Sequence, residues 1–286
     1  MSSHDTRTEG GRVYLRFDRY HRTLHGLLML SFLGLALTGL PLLFSDAPWA
    51  VTLAHLYGGF RAAGIAHRVF AVLLIGVFCA HVFRLMERLF VNKELHILWG
   101  PGSMVPQPRD VVELLAHMRW FLGLGARPRF DHFTYWEKFD YWAVFWGMGI
   151  IGFSGLVLWF PLFFSRLLPG SFFNIAMLVH GEEALLAVGF IFTIHFFNSH
   201  LRPEKFPMDT VIFTGRVTDE ELREERPEEF ERLQRERALD RLQVAAAKPW
   251  VRPLGRTIGT VAVCVGLTLV VLIIYALLTA GPTAHP

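Results

Sequence analysis

Five stretches of this chain are nearly free of charge, and each is about as long as the roughly 20 residues a helix needs to cross a bilayer. They cover residues 24–44, 65–85, 141–163, 173–198 and 258–278. A backbone in hydrocarbon must satisfy its own N–H and C=O groups, so all five are expected to be helices. Only 19% of residues are charged, against roughly 25% in soluble domains. Those charges fall in three blocks between the apolar runs.

Of the 28 Lys and Arg residues, 25 lie in an amino-terminal arm, a second loop and a fourth loop. Only Arg61, Arg68 and Arg166 fall on the other side. The positive-inside rule then expects a cytoplasmic amino terminus and an outside carboxy terminus, in a bacterial inner membrane. The expected organisation is an arm (1–23), a bundle (24–200, with a cytoplasmic loop at 86–138), a charged helical segment (201–257), and a last helix with a short outer tail (258–286). The first apolar run follows a long charged segment without a small-residue cleavage site, so it is expected to be a retained anchor.

The loops carry local signals. Val111, Leu114, Leu115, Met118 and Phe121 have the spacing of a surface helix over 110–122. Thr218 with Glu221 reads as a capping box. Glu228–Arg232 and Glu231–Arg235 read as ion pairs along a solvated helix, with docking of a cytoplasmic partner as the other reading.

Two cysteines, Cys79 and Cys264, both lie in apolar runs. They build no disulfide framework, no C-x-x-C-H haem attachment, and no zinc or iron–sulfur site. A nucleotide-binding glycine loop and a nucleophile constellation are missing as well. Nothing points to nucleic acid.

The histidines are the informative polar residues. His25 opens the first span and His67 the second; His81 follows His67 by fourteen residues. His180 sits early in the fourth span, and His195 follows by fifteen. On an ideal helix fourteen residues return to within about 40° of one face and fifteen to within about 60°, some 21–22 Å farther along. Each pair therefore places one imidazole in each leaflet, on one side of its helix. His67 and His180 match in depth near the outer face, and His25 and His195 near the cytoplasmic face. Ionisable groups inside a membrane are usually functional, and neutral imidazoles on facing helices suit the two axial positions of haem iron.

The expected fold is thus all-α integral membrane: a four-helix haem-binding transmembrane bundle plus a fifth C-terminal transmembrane helix at its edge. The expected cofactors are two haem b, with His25, His67, His180 and His195 as iron ligands. His81, His21 and His200 are alternates; a third haem would draw on His81 with His21 or His200. His21, His200, His96, His117 and His132 otherwise read as interfacial polar residues. Arg68 and Arg22 could pair with haem propionates. Of Glu182 and Glu183, one could serve a propionate or a proton path and the other face water. Glycines in the spans allow helices or a flat ring to approach closely.

Four segments together resemble a family. They are RFDRYHRTLHGLLMLSFLGLALTGLPLLF, AHRVFAVLLIGVFCAH, EKFDYWAVFWGMGIIGFSGLVLWFP and HGEEALLAVGFIFTIHFFNSHLRPEKFPMD. They are similar to the cytochrome b subunits of formate dehydrogenase (the gamma subunit), thiosulfate reductase and nickel–iron hydrogenase, over residues 12–217. The resemblance implies a di-haem subunit that exchanges electrons with the quinone pool. It puts the family's ligands on His25, His67, His180 and His195. Gly26 stands where the family often has Trp; His81, the charged fourth loop and the fifth helix are additions.

The function expected from this is an electron-transfer subunit of a respiratory oxidoreductase, quinone-reactive but not catalytic alone. It would relay electrons between a redox partner subunit (an iron–sulfur or multihaem protein) and quinone in the bilayer. Asn198 and His200, next to His195, are the candidate quinone contacts. The alternatives are a haem-free membrane anchor and a transporter with a histidine proton relay, both colourless. A haem protein with a direct protein donor, such as a cytochrome c, in place of quinone is a third.

Overall fold

The computed structural model describes residues 11–203, 205–206 and 208–279. Arg7 of the expected arm and the expected outer tail beyond Thr279 lie outside the described residues. Five helices are long and apolar enough to cross a membrane: Arg19–Leu43, Phe60–Val91, Tyr135–Trp159, Ser171–Leu201 and Val251–Thr279. The protein is an all-α membrane protein with five spans. Most of the helices begin several residues before the apolar runs, because the backbone continues helical through polar flanks. The third stops at Trp159, short of the expected 163. Pro161 follows, and the residue before a proline is pushed out of helical geometry; Phe160 accordingly has φ −116° and ψ 56°. A short helix, Pro48–Leu56, joins the first two spans.

The second, third and fourth spans contain wide π-helical turns at Glu87–Val91, Met148–Gly152, Ile191–His195 and Phe197–Leu201. Each makes room for one extra residue per turn, and such turns concentrate at functional sites. Hydropathy does not reveal them, since they change the register and not the composition.

The chain divides into two compact units. One comprises residues 23–82, 144–209 and from 254 onward. Its core is formed by Ala36 and Leu40 of the first span, Val188, Phe192 and Phe196 of the fourth, and Ala262, Leu269 and Ile273 of the fifth. The fifth helix is therefore no peripheral addition. Its buried Gly255, Gly259, Ala262, Gly266, Leu269, Ile273 and Ala276 recur at three- and four-residue steps on one face. A side chain at Gly266 would collide with Phe192 and Phe196, so only hydrogen there lets the helices meet. Elsewhere in this unit Phe70 packs on Gly34, and Phe78 meets Phe145 edge-on at 5.1 Å.

The other unit runs up to Arg22 and includes 83–143 and 210–253. Here β1 (Val13–Leu15) pairs antiparallel with β2 (Arg216–Thr218), a two-stranded sheet that the apolar pattern did not announce. Tyr14, Val217, Leu222, Phe230 and Leu233 form its core. The capping box forms as expected: Thr218 Oγ1 accepts from Glu221 N–H at 3.2 Å, and the Glu221 carboxylate accepts from Thr218 N–H at 2.8 Å. The helix Pro227–Arg235 is not a solvated rod, because Glu229, Phe230 and Leu233 are buried. The two expected pairings along it are replaced. Glu228 pairs with Arg109, Glu231 with Arg129, and Arg232 with Asp131 at 2.9 Å. Acids and bases of two loops reach each other across the fold, and a linear sequence cannot rank such pairs against i,i+4 neighbours.

The expected surface helix is present as Pro108–Phe121. Asp110 caps its start and receives Lys138 Nζ at 2.7 Å, both buried. Val111, Val112, Leu115, Met118 and Phe121 are exposed along it.

Candidate functional site

His67 and His180 face each other with ring centres 6.3 Å apart and planes crossed at 83°. Each is held from behind. His67 Nδ1 lies 3.2 Å from Thr38 Oγ1. His180 Nδ1 donates to the Ile151 carbonyl at 3.0 Å and lies 3.2 Å from Ser154 Oγ. A carbonyl only accepts, so Nδ1 of His180 carries the proton. Thr38 gives its hydroxyl proton to the Gly34 carbonyl at 2.6 Å, so Nδ1 of His67 is the donor there too, and both Nε2 atoms keep a lone pair. Gly39 receives the Cε1 edge of His67, and Gly155 that of His180.

This arrangement can be tested against the demands of haem iron. Two imidazole nitrogens, each about 2 Å from a shared metal, put their ring centres roughly 6 Å apart. The observed separation agrees. Metal-binding histidines also tend to donate their second N–H to a carbonyl or hydroxyl, which fixes the tautomer and raises basicity. Both rings meet that demand, so the residues fit the group.

At the other expected pair a third histidine enters: Phe196 meets both His195 and His200, with ring centres 6.3 and 6.0 Å away. His25 interacts electrostatically with His195 and with His200, and His200 in turn with His195 and Asp209. The Nδ1 of His200 is buried without a hydrogen-bond partner. The wide turns explain the grouping. With one residue absorbed in the turn Ile191–His195, the fifteen from His180 act as about fourteen, returning to within about 40°. The next wide turn brings His200 round toward the His195 side. Among the described residues no group of three or more His, Cys, Asp or Glu side chains is placed to hold a single metal ion, so this trio is not a three-histidine metal site.

The remaining expectations divide. His81 sits edge-on to Phe145, ring centres 6.2 Å apart. His21 is half-exposed, its Nδ1 2.7 Å from Asp18. Asn198 is half-buried, and its carbonyl accepts from Arg202 Nε at 2.8 Å. Arg68 stacks over Trp159, 5.7 Å from its ring centre, and Arg22 donates to the Phe213 carbonyl. Glu183 accepts from Trp146 Nε1 at 3.2 Å, while Glu182 is exposed. His117 is packing: it stacks on Phe121 at 4.6 Å and meets the Tyr135 hydroxyl. His96 is exposed.

Two groups escaped the sequence reading. Thr38 with Gly39 and Ser154 with Gly155 form the supports of His67 and His180. A hydroxyl residue followed by Gly-Leu in both the first and third spans was the signal. The second group surrounds His132, which is not merely interfacial. It joins Arg16 and Glu229, which pair at 2.9 Å with both side chains buried. Nearby, Arg226 pairs with Glu137 at 2.9 Å. Burial first, and then the Arg16 charge, hold the His132 proton affinity below its ordinary value.

No protein-family model matches this chain, and no curated protein matches it either.

Proposed function

We propose that this chain is the membrane cytochrome b subunit of a respiratory oxidoreductase complex, relaying electrons between a partner redox subunit and the quinone pool. The observation that carries this reading is the His67–His180 pair: spacing and back-bonded Nδ1 atoms suit two imidazoles that would hold one haem iron. His67 and His180 would hold one b haem. His25 would hold the second, with His195 as its partner and His200 beside them. Haem supplies a carrier that takes and gives single electrons. The protein's part is to fix the imidazoles, with Phe196 packed against His195 and His200.

The resemblance of residues 12–217 to the cytochrome b subunits of formate dehydrogenase, thiosulfate reductase and hydrogenase supports the same reading. So does the absence of any substrate-oxidising motif from the sequence. The partner is an iron–sulfur or multihaem protein. Asn198 and His200 are the proposed quinone contacts. The charge asymmetry of the loops favours a bacterial inner membrane with the amino terminus in the cytoplasm.

A reduced-minus-oxidised spectrum of the purified protein, with haem measured per chain as pyridine haemochrome, tests this. A b-type spectrum with two haems is expected. Three haems would bring in His81 with His21 or His200. A folded, haem-supplied preparation without haem would sink the proposal and return the chain to the anchor and transporter readings.

A further inference from the structure

The first and third spans repeat one device around the two facing rings. Thr38 donates its hydroxyl proton to the Gly34 carbonyl at 2.6 Å, and Ser154 donates its own to the Ile150 carbonyl at 2.7 Å. A hydroxyl has one proton, so toward the histidine it can only accept. Thr38 thus accepts from His67 Nδ1–H and Ser154 from His180 Nδ1–H, each at 3.2 Å. The Ile151 carbonyl, three residues before Ser154, accepts from the same N–H of His180 at 3.0 Å, and Leu35 stands at the matching position before Thr38. The residue after each hydroxyl is glycine, and the imidazole edge lies where a Cβ would stand. Hydroxyl, carbonyl and glycine sit at matching positions in two unrelated stretches of sequence. Thr38 is fully buried and Ser154 nearly so.

Resting on the reading of His67 and His180 as axial ligands, we propose that Thr38 and Ser154 are positioning residues that set the ring orientation and the donor strength of that pair. One acceptor would satisfy the Nδ1–H. At His180 a second, the Ile151 carbonyl, comes from a different angle and restricts rotation of the ring. The two supports lie on different helices and hold the planes crossed at 83°. Accepting from Nδ1–H also pushes electron density toward Nε2, which favours the oxidised metal and lowers its reduction potential.

The test uses the full-length protein with haem bound. Thr38→Val and Ser154→Ala remove the hydroxyl acceptors at nearly constant volume, alone and together, and leave the backbone carbonyls in place; Thr38→Ser and Ser154→Thr keep the hydroxyls. Electron paramagnetic resonance reads ring orientation, because crossed imidazole planes give low-spin ferric haem with a large maximum g value. A redox titration reads donor strength. Haem content is expected to stay near the parent value. The acceptor-free variants should show a lower maximum g and a raised midpoint potential for one haem, and the hydroxyl-keeping variants should restore both. If Thr38→Val does not fold, Ser154→Ala carries the same expectation with a smaller change. An unaltered spectrum and potential in haem-loaded Ser154→Ala and the double variant would overturn the positioning role and leave the ligand assignment standing. A parent protein without haem would overturn the ligand assignment itself.

Discussion

Glycine at two positions decides whether the histidine pair can exist in its observed form. A Cβ on Gly39 would lie 2.7 Å from His67 Cε1, and one on Gly155 would lie 2.9 Å from His180 Cε1. Side chains do not approach so closely, and each ring is anchored by its Nδ1, so it cannot retreat without giving up a hydrogen bond. Gly39→Ala and Gly155→Ala should each cost about 1–3 kcal/mol, the usual range for overpacking. If the proposed two haems are bound, these variants should also lower the haem per chain toward one, as pyridine haemochrome would measure. Retention of both haems at full occupancy would show that the rings have more freedom than their contacts suggest. Histidine identity and approximate depth were legible in the sequence, because an ionisable residue inside an apolar run stands out. The glycines were visible only as small residues that any packed helix could use. What they touch is a matter of register between two helices, which no single span encodes.

Among elements, the charged loops changed most between sequence and structure. The expected helices over 110–122 and behind Thr218 are there, because caps and apolar spacing are local properties. The ion pairs were not local. Arg16, on the stretch after β1, reaches both His132 and Glu229, and so ties three distant segments together. This makes a prediction about pH. His132 is held neutral by burial and by the Arg16 guanidinium beside it, so the unfolded chain binds the proton more readily than the folded one. The stabilisation is fully present above about pH 6.5, the ordinary histidine value. It is lost as pH falls below that, with a slope of up to about 1.4 kcal/mol per pH unit for one proton. Thermal unfolding at pH 7.5 and 5.5 should show the drop, and His132→Gln should flatten it. Equal slopes in the two proteins would assign the pH dependence to other groups.

At the scale of the whole molecule, charge and apolarity sort the chain into its two units. Most Lys and Arg residues fall in one, and the facing histidines in the other. If the charge rule governs insertion, a reporter active only outside the cytoplasm should be silent when fused after Gly125 and active when fused after Leu168. The opposite pattern would invert the proposed orientation.

The five spans and the all-helical architecture of the membrane part followed from sequence alone, because a hydrocarbon solvent leaves a long apolar segment one conformation that satisfies its backbone. Depth along the spans already paired His67 with His180; tertiary structure alone decided how the rings are held and crossed. Wide turns in the fourth span re-aim His195 and bring His200 beside it. The fifth helix enters the core because its glycines admit Phe192 and Phe196. The charged loops pair with each other because the fold brings opposite charges from distant segments into one buried cluster. Each of these depends on the distance between atoms far apart in the chain, and composition and periodicity carry no record of that distance.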